Sequence, residues 1–187
     1  MRKTAVVMAL VLLGPAKASA RALEREGTVA VLTAVRAPSR VPGAKLVPGL
    51  ALSFGFKPLV ALEFAVDIAA HYVQADAFSM TTLPLGLTLK WTPLPSYELR
   101  PIFTATLGKE FVALDGPAGR YREHTPYLLV FSGGAVADLG SLAGIYADVG
   151  YQYARVKDTL HGVLDAGGPL VRAGVYFRWE PLRKPPL

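Results

Sequence analysis

Residues 60–72 read VALEFAVDIAAHY, a run in which apolar side chains alternate with polar or small ones. The apolar set consists of Val60, Leu62, Phe64, Val66, Ile68, Ala70 and Tyr72. The positions between them include Glu63, Asp67 and His71. Because successive side chains of a β-strand point to opposite faces, this pattern predicts a strand with one apolar and one polar face.

Seven further segments show the same alternation. Together the eight predicted strands cover residues 28–36, 49–57, 60–73, 78–91, 98–111, 126–139, 144–156 and 169–179. Most are about nine to fourteen residues long, whereas strands of ordinary globular proteins average about 5–6 residues. A tilted strand that crosses a membrane needs about 9–11 residues. The lengths therefore favour an all-β protein whose strands cross a membrane.

The high apolar content narrows the set of possible folds further. Hydrophobic residues make up 52% of the 187-residue chain, yet no segment after residue 20 reaches the roughly 18 uncharged apolar residues of a membrane helix. Two alternatives remain. One is a soluble sandwich with a large core, and the other is a barrel whose apolar face meets lipid.

The first 20 residues have the layout of a secretory signal peptide. Residues 1–3 form a short basic start, residues 4–14 are an uncharged apolar run, and residues 18–20 supply small side chains for a signal peptidase. The apolar run is too short to anchor the chain in a bilayer. We therefore predict a cleaved signal peptide at 1–20 and a single domain after it.

Charge and cysteine content exclude several classes of protein. Removing Arg2, Lys3 and Lys17 from the 20 basic residues leaves 17 against 14 acidic residues, a net charge of +3. This mild charge, without a basic stripe, predicts no nucleic-acid partner. The chain has no cysteine, which excludes a disulfide framework and a thiolate metal site.

The segments between the predicted strands are alternately short and long. Those at 57–59, 92–97 and 140–143 are short, those at 37–48, 112–125 and 157–168 are long and polar, and only 74–77 is unexpectedly brief. Short turns on one side and long loops on the other are typical of an up-and-down transmembrane β-barrel. Both chain ends then fall on the short-turn side, which is the periplasm.

Aromatic residues gather at the ends of the predicted strands. Phe56, Trp91 and Trp179 lie at the short-turn ends, and Tyr72, Phe78, Phe111, Tyr127 and Tyr153 lie at the long-loop ends. Rings favour the headgroup level of a bilayer, so these residues predict two aromatic belts around an apolar band. A general preference of aromatics for strands does not explain this clustering.

The last predicted strand resembles the C-terminal signal that the outer-membrane assembly machinery reads. Arg172, Gly174, Phe177 and Trp179 occupy its polar, glycine and alternate hydrophobic positions. The whole chain after residue 20 resembles the small outer-membrane β-barrel superfamily of Gram-negative bacteria. Most members end at the aromatic residue, whereas residues 180–187 follow here, and we expect them to form a periplasmic C-terminal tail.

The resemblance implies an all-β fold, an eight-stranded antiparallel up-and-down transmembrane β-barrel formed by residues 21–179. It places the protein in the outer membrane, with membrane lipids, lipopolysaccharide and the assembly machinery as partners. We expect a monomer without a cofactor. The motifs of the superfamily are degenerate, so they imply no single activity.

The polar face of the predicted strands carries charges of both signs. They are Lys57, Glu63, Asp67, Lys90, Arg100, Glu110, Asp138, Asp148, Arg172 and Arg178. The interior of an eight-stranded barrel is only just wide enough for side chains, and an unpaired buried charge is costly. We therefore expect these groups to pair and fill the lumen. The alternative is a gate or a narrow polar path.

Candidate catalytic and metal-binding residues form no recognisable site. His71, His124 and His161 fall at long-loop strand ends or in loops, which favours solvated side chains over a metal site. Ser132 lacks the preceding glycine of a nucleophile elbow and faces inward. We therefore expect no metal and no enzymatic activity, and a lipid-modifying barrel is a distant alternative.

Basic residues also cluster near the predicted long loops. Arg120, Arg122, Glu123 and His124 surround Tyr121, Lys109 lies just below them, and Arg36, Arg40 and Lys45 lie in or beside the first long loop. These cations are suited to attract anionic headgroups of the outer leaflet. Ordinary solvation of loop charges explains them equally well.

Three functions remain open at this point. The first is a barrel with a structural or surface-interaction role, and the second is a narrow channel for small or apolar solutes. The third is a soluble periplasmic lipocalin-like barrel, in which the apolar faces point inward around a ligand. The terminal signal and the aromatic strand ends favour a membrane barrel, and the early Gly-x-Trp pattern of lipocalins is absent.

Overall fold

A computed structural model describes residues 26–38, 46–75, 78–116, 119–158 and 162–179. These residues form β1 (Glu26–Arg36), β2 (Val47–Leu59), β3 (Leu62–Ala75), β4 (Phe78–Trp91), β5 (Leu99–Gly116), β6 (Gly119–His124), β7 (Leu128–Asp138), β8 (Ala143–Asp158), β9 (Gly162–Asp165) and β10 (Gly168–Trp179). The predicted signal peptide and C-terminal tail lie outside the described residues. Within the described ranges, no helix has the length and apolarity to cross a membrane.

Eight of these strands form a closed antiparallel barrel. In order around the wall they are β1, β2, β3, β4, β5, β7, β8 and β10, and β10 pairs with β1. The seam between the first and last strands runs from Gly27 opposite Trp179 to Arg36 opposite Leu170. The predicted eight-stranded up-and-down architecture is therefore confirmed.

The other two strands extend the wall at one end of the barrel. The last part of β5 pairs with β6, from Phe111 opposite His124 to Gly116 opposite Gly119. In the same way, β8 pairs with β9. The prediction of loops at 112–125 and 157–168 is therefore wrong over most of their length. The prediction relied on an apolar alternation, and backbone pairing beyond the apolar band does not require one.

The two ends of the barrel differ in their connections. At the turn end, residues 60–61, 92–98 and 139–142 join neighbouring strands, and Glu26 and Trp179 also lie there. At the opposite loop end lie residues 37, 38 and 46 and the two hairpin extensions. The first turn falls later than predicted, because β2 continues through a bulge between Phe56 and Leu59.

Strand alternation separates an apolar exterior from a polar interior. Large hydrophobic side chains project outward from every wall strand, and Phe64 is 53% exposed and Val149 63% exposed. Charged side chains such as Glu63, Asp148 and Arg172 are buried inside. This arrangement is the reverse of a soluble barrel with an apolar ligand cavity, so it argues against the lipocalin-like alternative.

Replacing Gly174 with alanine tests how tightly the seam is packed. A Cβ at this position would lie 2.1 Å from the Val31 carbonyl oxygen and 2.8 Å from the Leu32 Cα, both backbone atoms of β1. We expect Gly174→Ala to lower the free energy of unfolding by about 1–3 kcal/mol, because the overpacked backbone must shift. Urea unfolding of the barrel in detergent micelles measures the change.

Gly133→Ala is the matched control for this seam experiment. The atom nearest to a Cβ at position 133 would be a carbon of the Phe103 ring, at 3.5 Å. We expect this variant to unfold at the same urea concentration as the unaltered protein. Equal stability of the two alanine variants would contradict the described packing of β10 against β1.

The barrel interior as candidate functional site

A central cluster of polar groups forms around the Arg172 guanidinium. Arg172 lies opposite Asp148 in the register of β10 and β8, and its Nε and Nη2 donate to that carboxylate at 3.0 Å and 2.5 Å. The Ser132 and Tyr146 hydroxyls also donate to Asp148, each at 2.5 Å. Arg172 further lies 3.6 Å from Asp67, so the cluster reaches from β10 across to β3.

A second ion pair joins the inner faces of the first four strands. Glu63 and Lys90 lie opposite each other on β3 and β4, with 2.7 Å between Oε1 and Nζ. Lys90 also donates to the Ser53 hydroxyl on β2 at 2.9 Å, and Glu63 accepts from the Thr28 hydroxyl on β1 at 2.8 Å. Glu63 and Lys90 therefore compensate each other's charge, and each also forms a hydrogen bond with a hydroxyl group.

A turn-end cluster lies nearer the short connections. It consists of Glu26, Lys57, Arg100, Asp138, Tyr176 and Arg178. Asp138 pairs with Arg100, accepts from the Tyr176 hydroxyl and lies 3.0 Å from Arg178. Glu26 lies 3.5 Å from Arg178 and 3.4 Å from Lys57. All of these residues except Asp138 line a cavity of about 190 Å³.

A loop-end cluster crosses the barrel near its other end. Arg36 on β1 and Glu110 on β5 are 2.6 Å apart, and both side chains are 0% exposed. β1 and β5 are four strands apart in either direction around the wall, so this ion pair spans the full width of the lumen. Arg36 also donates to the Thr82 hydroxyl at 2.8 Å, and Gln152 donates to Glu110 at 2.8 Å.

Apolar layers separate these polar groups. One contains Ala30, Leu32, Ala51, Ile102 and Val136, packed with the rings of Tyr146 and Tyr176. Another contains Ala34, Leu128, Val130, Ala154 and Leu170. Since these side chains exclude water, the ion pairs beside them are only weakly screened, and the loss of either partner leaves a costly buried charge.

The structure places all ten sequence-predicted interior charges on the inner face, and each forms an ion pair. Nine of them pair among themselves or with Glu26, and Glu110 pairs with Arg36; the pairs are Lys57 with Glu26, Glu63 with Lys90, Asp67 and Asp148 with Arg172, Arg100 and Arg178 with Asp138, and Glu110 with Arg36. Sequence reasoning missed Glu26, which precedes the predicted start of the first strand.

The assignment of Arg36 to an outer cationic patch is wrong. Its side chain is fully buried and bonded to Glu110. Arg36 is the last residue of β1, and it shares the inward parity of Thr28, Ala30 and Leu32. The sequence could have predicted this inward position, because residue 36 belongs to the predicted strand. Arg40 and Lys45, assigned to the same patch, lie outside the described residues.

The prediction that His71 is solvated is also wrong. Its side chain is only 2% exposed, and its Nδ1 has no hydrogen-bond partner among the described residues. His71 continues the inward row of Glu63 and Asp67, and its ring lies over Gly49, where a Cβ would be 2.4 Å from Nδ1. His124 is exposed near Phe111, with 6.3 Å between ring centroids, and His161 lies outside the described residues.

The aromatic residues predicted to form belts lie at the two rims. At the turn end, Phe56 and Trp179 are exposed and Trp91 packs on Phe103 with centroids 5.7 Å apart. At the loop end, Tyr72 and Phe111 are exposed, and Tyr127 and Tyr153 stack at 5.7 Å. The side chain of Phe78 lies outside the described part of the structure.

The four residues predicted as an assembly signal divide between the two faces of β10. Arg172 points into the lumen, and Gly174 allows the close approach of β1 described above. Phe177 and Trp179 point outward at the turn end. The Trp179 ring covers Gly27 of β1, where a Cβ would lie 2.3 Å from the indole. These aromatic side chains therefore stand beside the seam.

No catalytic or metal-binding arrangement is evident among the described residues. The Ser132 hydroxyl bonds with Thr104, Asp148 and Arg172. Within the described ranges, no group of three or more histidine, aspartate or glutamate side chains is placed to hold a metal ion. The interior instead provides a set of mutually compensated charges.

The basic residues of the β5–β6 hairpin lie outside the barrel. Arg120 donates to Asp115 at 2.6 Å, and this hydrogen bond holds the pKa of the Asp115 carboxyl below its usual range. Lys109, Arg122 and His124 are exposed. The side chain of Tyr121 lies outside the described part of the structure.

Removing one partner of the loop-end ion pair tests its contribution to stability. We expect Arg36→Met to lower the free energy of unfolding by about 3–5 kcal/mol, because Glu110 is left as an uncompensated buried charge. The double variant Arg36→Met with Glu110→Leu should recover most of that loss, since no charge remains. Urea unfolding in detergent micelles measures both.

The exposed ion pair of Arg120 and Asp115 provides the control for this experiment. Arg120→Gln removes a positive charge from a salt bridge in the hairpin, where solvent screens the interaction. We expect its unfolding transition to match that of the unaltered protein. A loss in Arg36→Met no larger than in Arg120→Gln would contradict the importance of the buried pair.

No protein-family model matches the chain, and no curated protein sequence matches it. Neisserial surface protein A is similar in structure, with a TM-score of 0.67 and 17% identity over 82% of this chain and 96% of its own. OprG from Pseudomonas aeruginosa gives a TM-score of 0.60 and 13% identity over 84% and 97%.

A third similar structure is Ail, the attachment invasion locus protein of Yersinia pestis. Its TM-score is 0.55, with 13% identity over 83% of this chain and 99% of its own. At such low identity these likenesses concern the fold. They agree with the closed ring of eight antiparallel strands and its apolar exterior. This chain therefore has the fold of the small eight-stranded outer-membrane β-barrels.

Proposed function

We propose that this chain is a monomeric outer-membrane protein whose lumen is closed by ion pairs and whose loop end serves surface interactions. The observation that carries the proposal is the Arg36–Glu110 pair, which crosses the full width of the lumen between two fully buried side chains. A path past this pair would require the separation of two charges in a poorly hydrated interior, and that is costly.

The exterior supports a location in a membrane. Outward positions of the wall strands carry exposed Leu, Val, Ile and Phe side chains, and aromatic side chains lie at both rims. In water such a surface would cause aggregation, whereas in a membrane it contacts the apolar chains of the lipids. The closed sheet leaves no unpaired edge in the lipid, which is the second requirement for a spanning β-structure.

The hairpin extensions support a surface-interaction role. β5–β6 and β8–β9 project beyond the wall at the loop end, whereas the turn end has only short connections. Of the similar structures, one is named a surface protein and another an attachment invasion locus protein. We assign no catalytic step, and membrane lipids and the assembly machinery are the partners that the barrel itself requires.

Electrical recording in planar bilayers tests the closed lumen. We expect the purified, folded protein to give no steady conductance, because ion pairs cross the interior in the central and loop-end clusters. The alternative function, a narrow channel, is favoured by the turn-end cavity of about 190 Å³, which resembles a vestibule. Large and stable conductance steps from the unaltered protein would overturn the closed lumen and support this channel.

A variant that lacks the charges of the central and loop-end clusters provides the positive control. Replacing Arg36, Glu110, Arg172, Asp148 and Asp67 together with serine removes each cation with the carboxylates that pair with it, so that none of these charges is left without its partner. We expect small conductance steps from this variant if it folds. Its heat-modifiable mobility in gel electrophoresis reports folding independently of conductance.

The last strand provides a test of assembly and location. We expect the double variant Phe177→Ala with Trp179→Ala to remain in the periplasm and be degraded, because the assembly machinery no longer recognises β10. Deletion of residues 180–187 should leave insertion intact or improve it. Membrane fractionation with heat-modifiable gel mobility measures insertion.

The double variant Phe56→Ala with Phe103→Ala is the matched control for assembly. These side chains are exposed to nearly the same extent as Phe177 and Trp179 and belong to other strands. We expect this control to reach the outer membrane, and both double variants to refold in detergent. Full insertion of the Phe177 and Trp179 variant would refute the signal, and loss of insertion on tail deletion would show that the tail is part of the fold.

A further inference from the structure

Three strands present a continuous outward surface at the loop end of the barrel. The registers of β4, β5 and β6 place Leu83, Phe111 and His124 in one row across the strands. The next row toward the hairpin tip contains Thr81, Ala113 and Arg122. Because residues in one row share a face, apolar side chains of β4 and β5 lie directly beside basic side chains of β6.

A groove of about 320 Å³ runs along this surface. Its walls include Thr81, Leu83, Phe111, Ala113, Arg122 and His124. The His124 ring lies near the Phe111 ring, with centroids 6.3 Å apart, and the two rings are tilted by 41°. The groove thus combines an apolar floor with a basic edge, and Phe111 belongs to the loop-end rim of aromatic side chains.

Lys109 adds a third basic group in an unusual position. It lies on the same face of β5 as Phe111, two residues nearer the middle of the wall, and its neighbour in the register is Leu85. Leu85, Leu107 and Phe111 around it are exposed apolar side chains. A cation on an apolar face extends its long stem toward the nearest polar level. That level is the one at which Phe111 and His124 lie.

The acidic residues nearby do not neutralise this set of cations. Asp115 is the acidic group on the same face, and its carboxylate is bonded to Arg120. Glu123 belongs to the opposite parity of β6, where it pairs with the buried Val112. Among the described residues, Lys109 and Arg122 form no salt bridge. Asp115 also attracts Arg122, yet Lys109, Arg120 and Arg122 outnumber this one carboxylate, so the outward face carries a net positive charge directly above apolar surface.

We propose that this surface is a binding site for one phosphate-bearing lipid of the outer leaflet. A headgroup phosphate lies between Lys109 and Arg122, with His124 beside it, and an acyl chain runs from the groove at Leu83 past Leu85 toward the middle of the wall. The site rests on the proposed function, because it requires the loop end to lie in the outer leaflet. A soluble anion would use the cations alone, whereas the adjoining apolar groove matches a lipid.

Native mass spectrometry of the full barrel, released from detergent and titrated with lipid A, tests the site. We expect Lys109→Gln and Arg122→Gln each to weaken the apparent affinity about fivefold, because each removes one cation close to an anionic headgroup. Ala113→Phe fills the groove without a change of charge and should weaken binding as well. Lipid A with one phosphate should bind more weakly than lipid A with two.

Arg155→Gln is the charge-matched control. Arg155 lies at the same rim on β8, with its guanidinium carbon 4.9 Å from the centroid of the Tyr153 ring. Its replacement by glutamine also removes one positive charge. We expect it to leave lipid A binding unchanged. Equal weakening by Arg155→Gln would overturn the site in favour of general charge attraction, and displacement of lipid A by millimolar inorganic phosphate would overturn the assignment to a lipid.

The failure of this site is distinguishable from failure of the proposed function. A chain that is absent from the outer-membrane fraction and lacks heat-modifiable mobility would refute the membrane barrel itself. A barrel that inserts fully, yet binds lipid A as well in the three site variants as in the unaltered protein, would refute the lipid site alone.

Discussion

Backbone hydrogen bonding between the first and last strands is the constraint on which the rest of this structure depends. Ten consecutive residue pairs join β1 to β10, from Gly27 and Trp179 to Arg36 and Leu170. Once this seam is closed, every wall strand has two neighbours and no edge remains unbonded. The close approach of Gly174 to the backbone of β1 shows how little space the seam leaves.

Closure with eight strands also determines what the interior contains. The lumen of such a barrel is only about as wide as the side chains that fill it. Long charged side chains from opposite walls therefore meet, as Arg36 and Glu110 do across the full width. Register contributes as well, because it places Glu63 opposite Lys90 and Asp148 opposite Arg172 on adjacent strands. The outward apolar face and the inward ion pairs are thus consequences of the same closed sheet.

Much of this architecture was predictable from the alternation of side chains with a period of two. The eight strands, their inner and outer faces and the inward charges followed from that pattern. The pattern did not predict which interior charges pair with each other. The ion pair of Arg36 with Glu110 across the barrel depends on the order of the strands and on their stagger. The errors occurred at strand ends, where Arg36 was assigned to an outer cationic patch and His71 was expected to be solvated, although the parity of both residues points inward. The hairpin strand β6 was missed because its charged sequence shows no apolar face, and β9 because its four residues are too few to show an alternation.

The β5–β6 hairpin has a further consequence for how this protein can change over evolutionary time. From Phe111 onward, the six residue pairs of the hairpin are made between adjacent segments of the chain and end at Gly116 and Gly119, where φ of Gly119 is +112°. The pairing of β1 with β10 and the interior ion pairs involve none of the residues beyond Glu110 on β5. Substitutions near the hairpin tip are therefore decoupled from the integrity of the wall. An element of this kind can accumulate sequence change while the closure of the wall is kept intact.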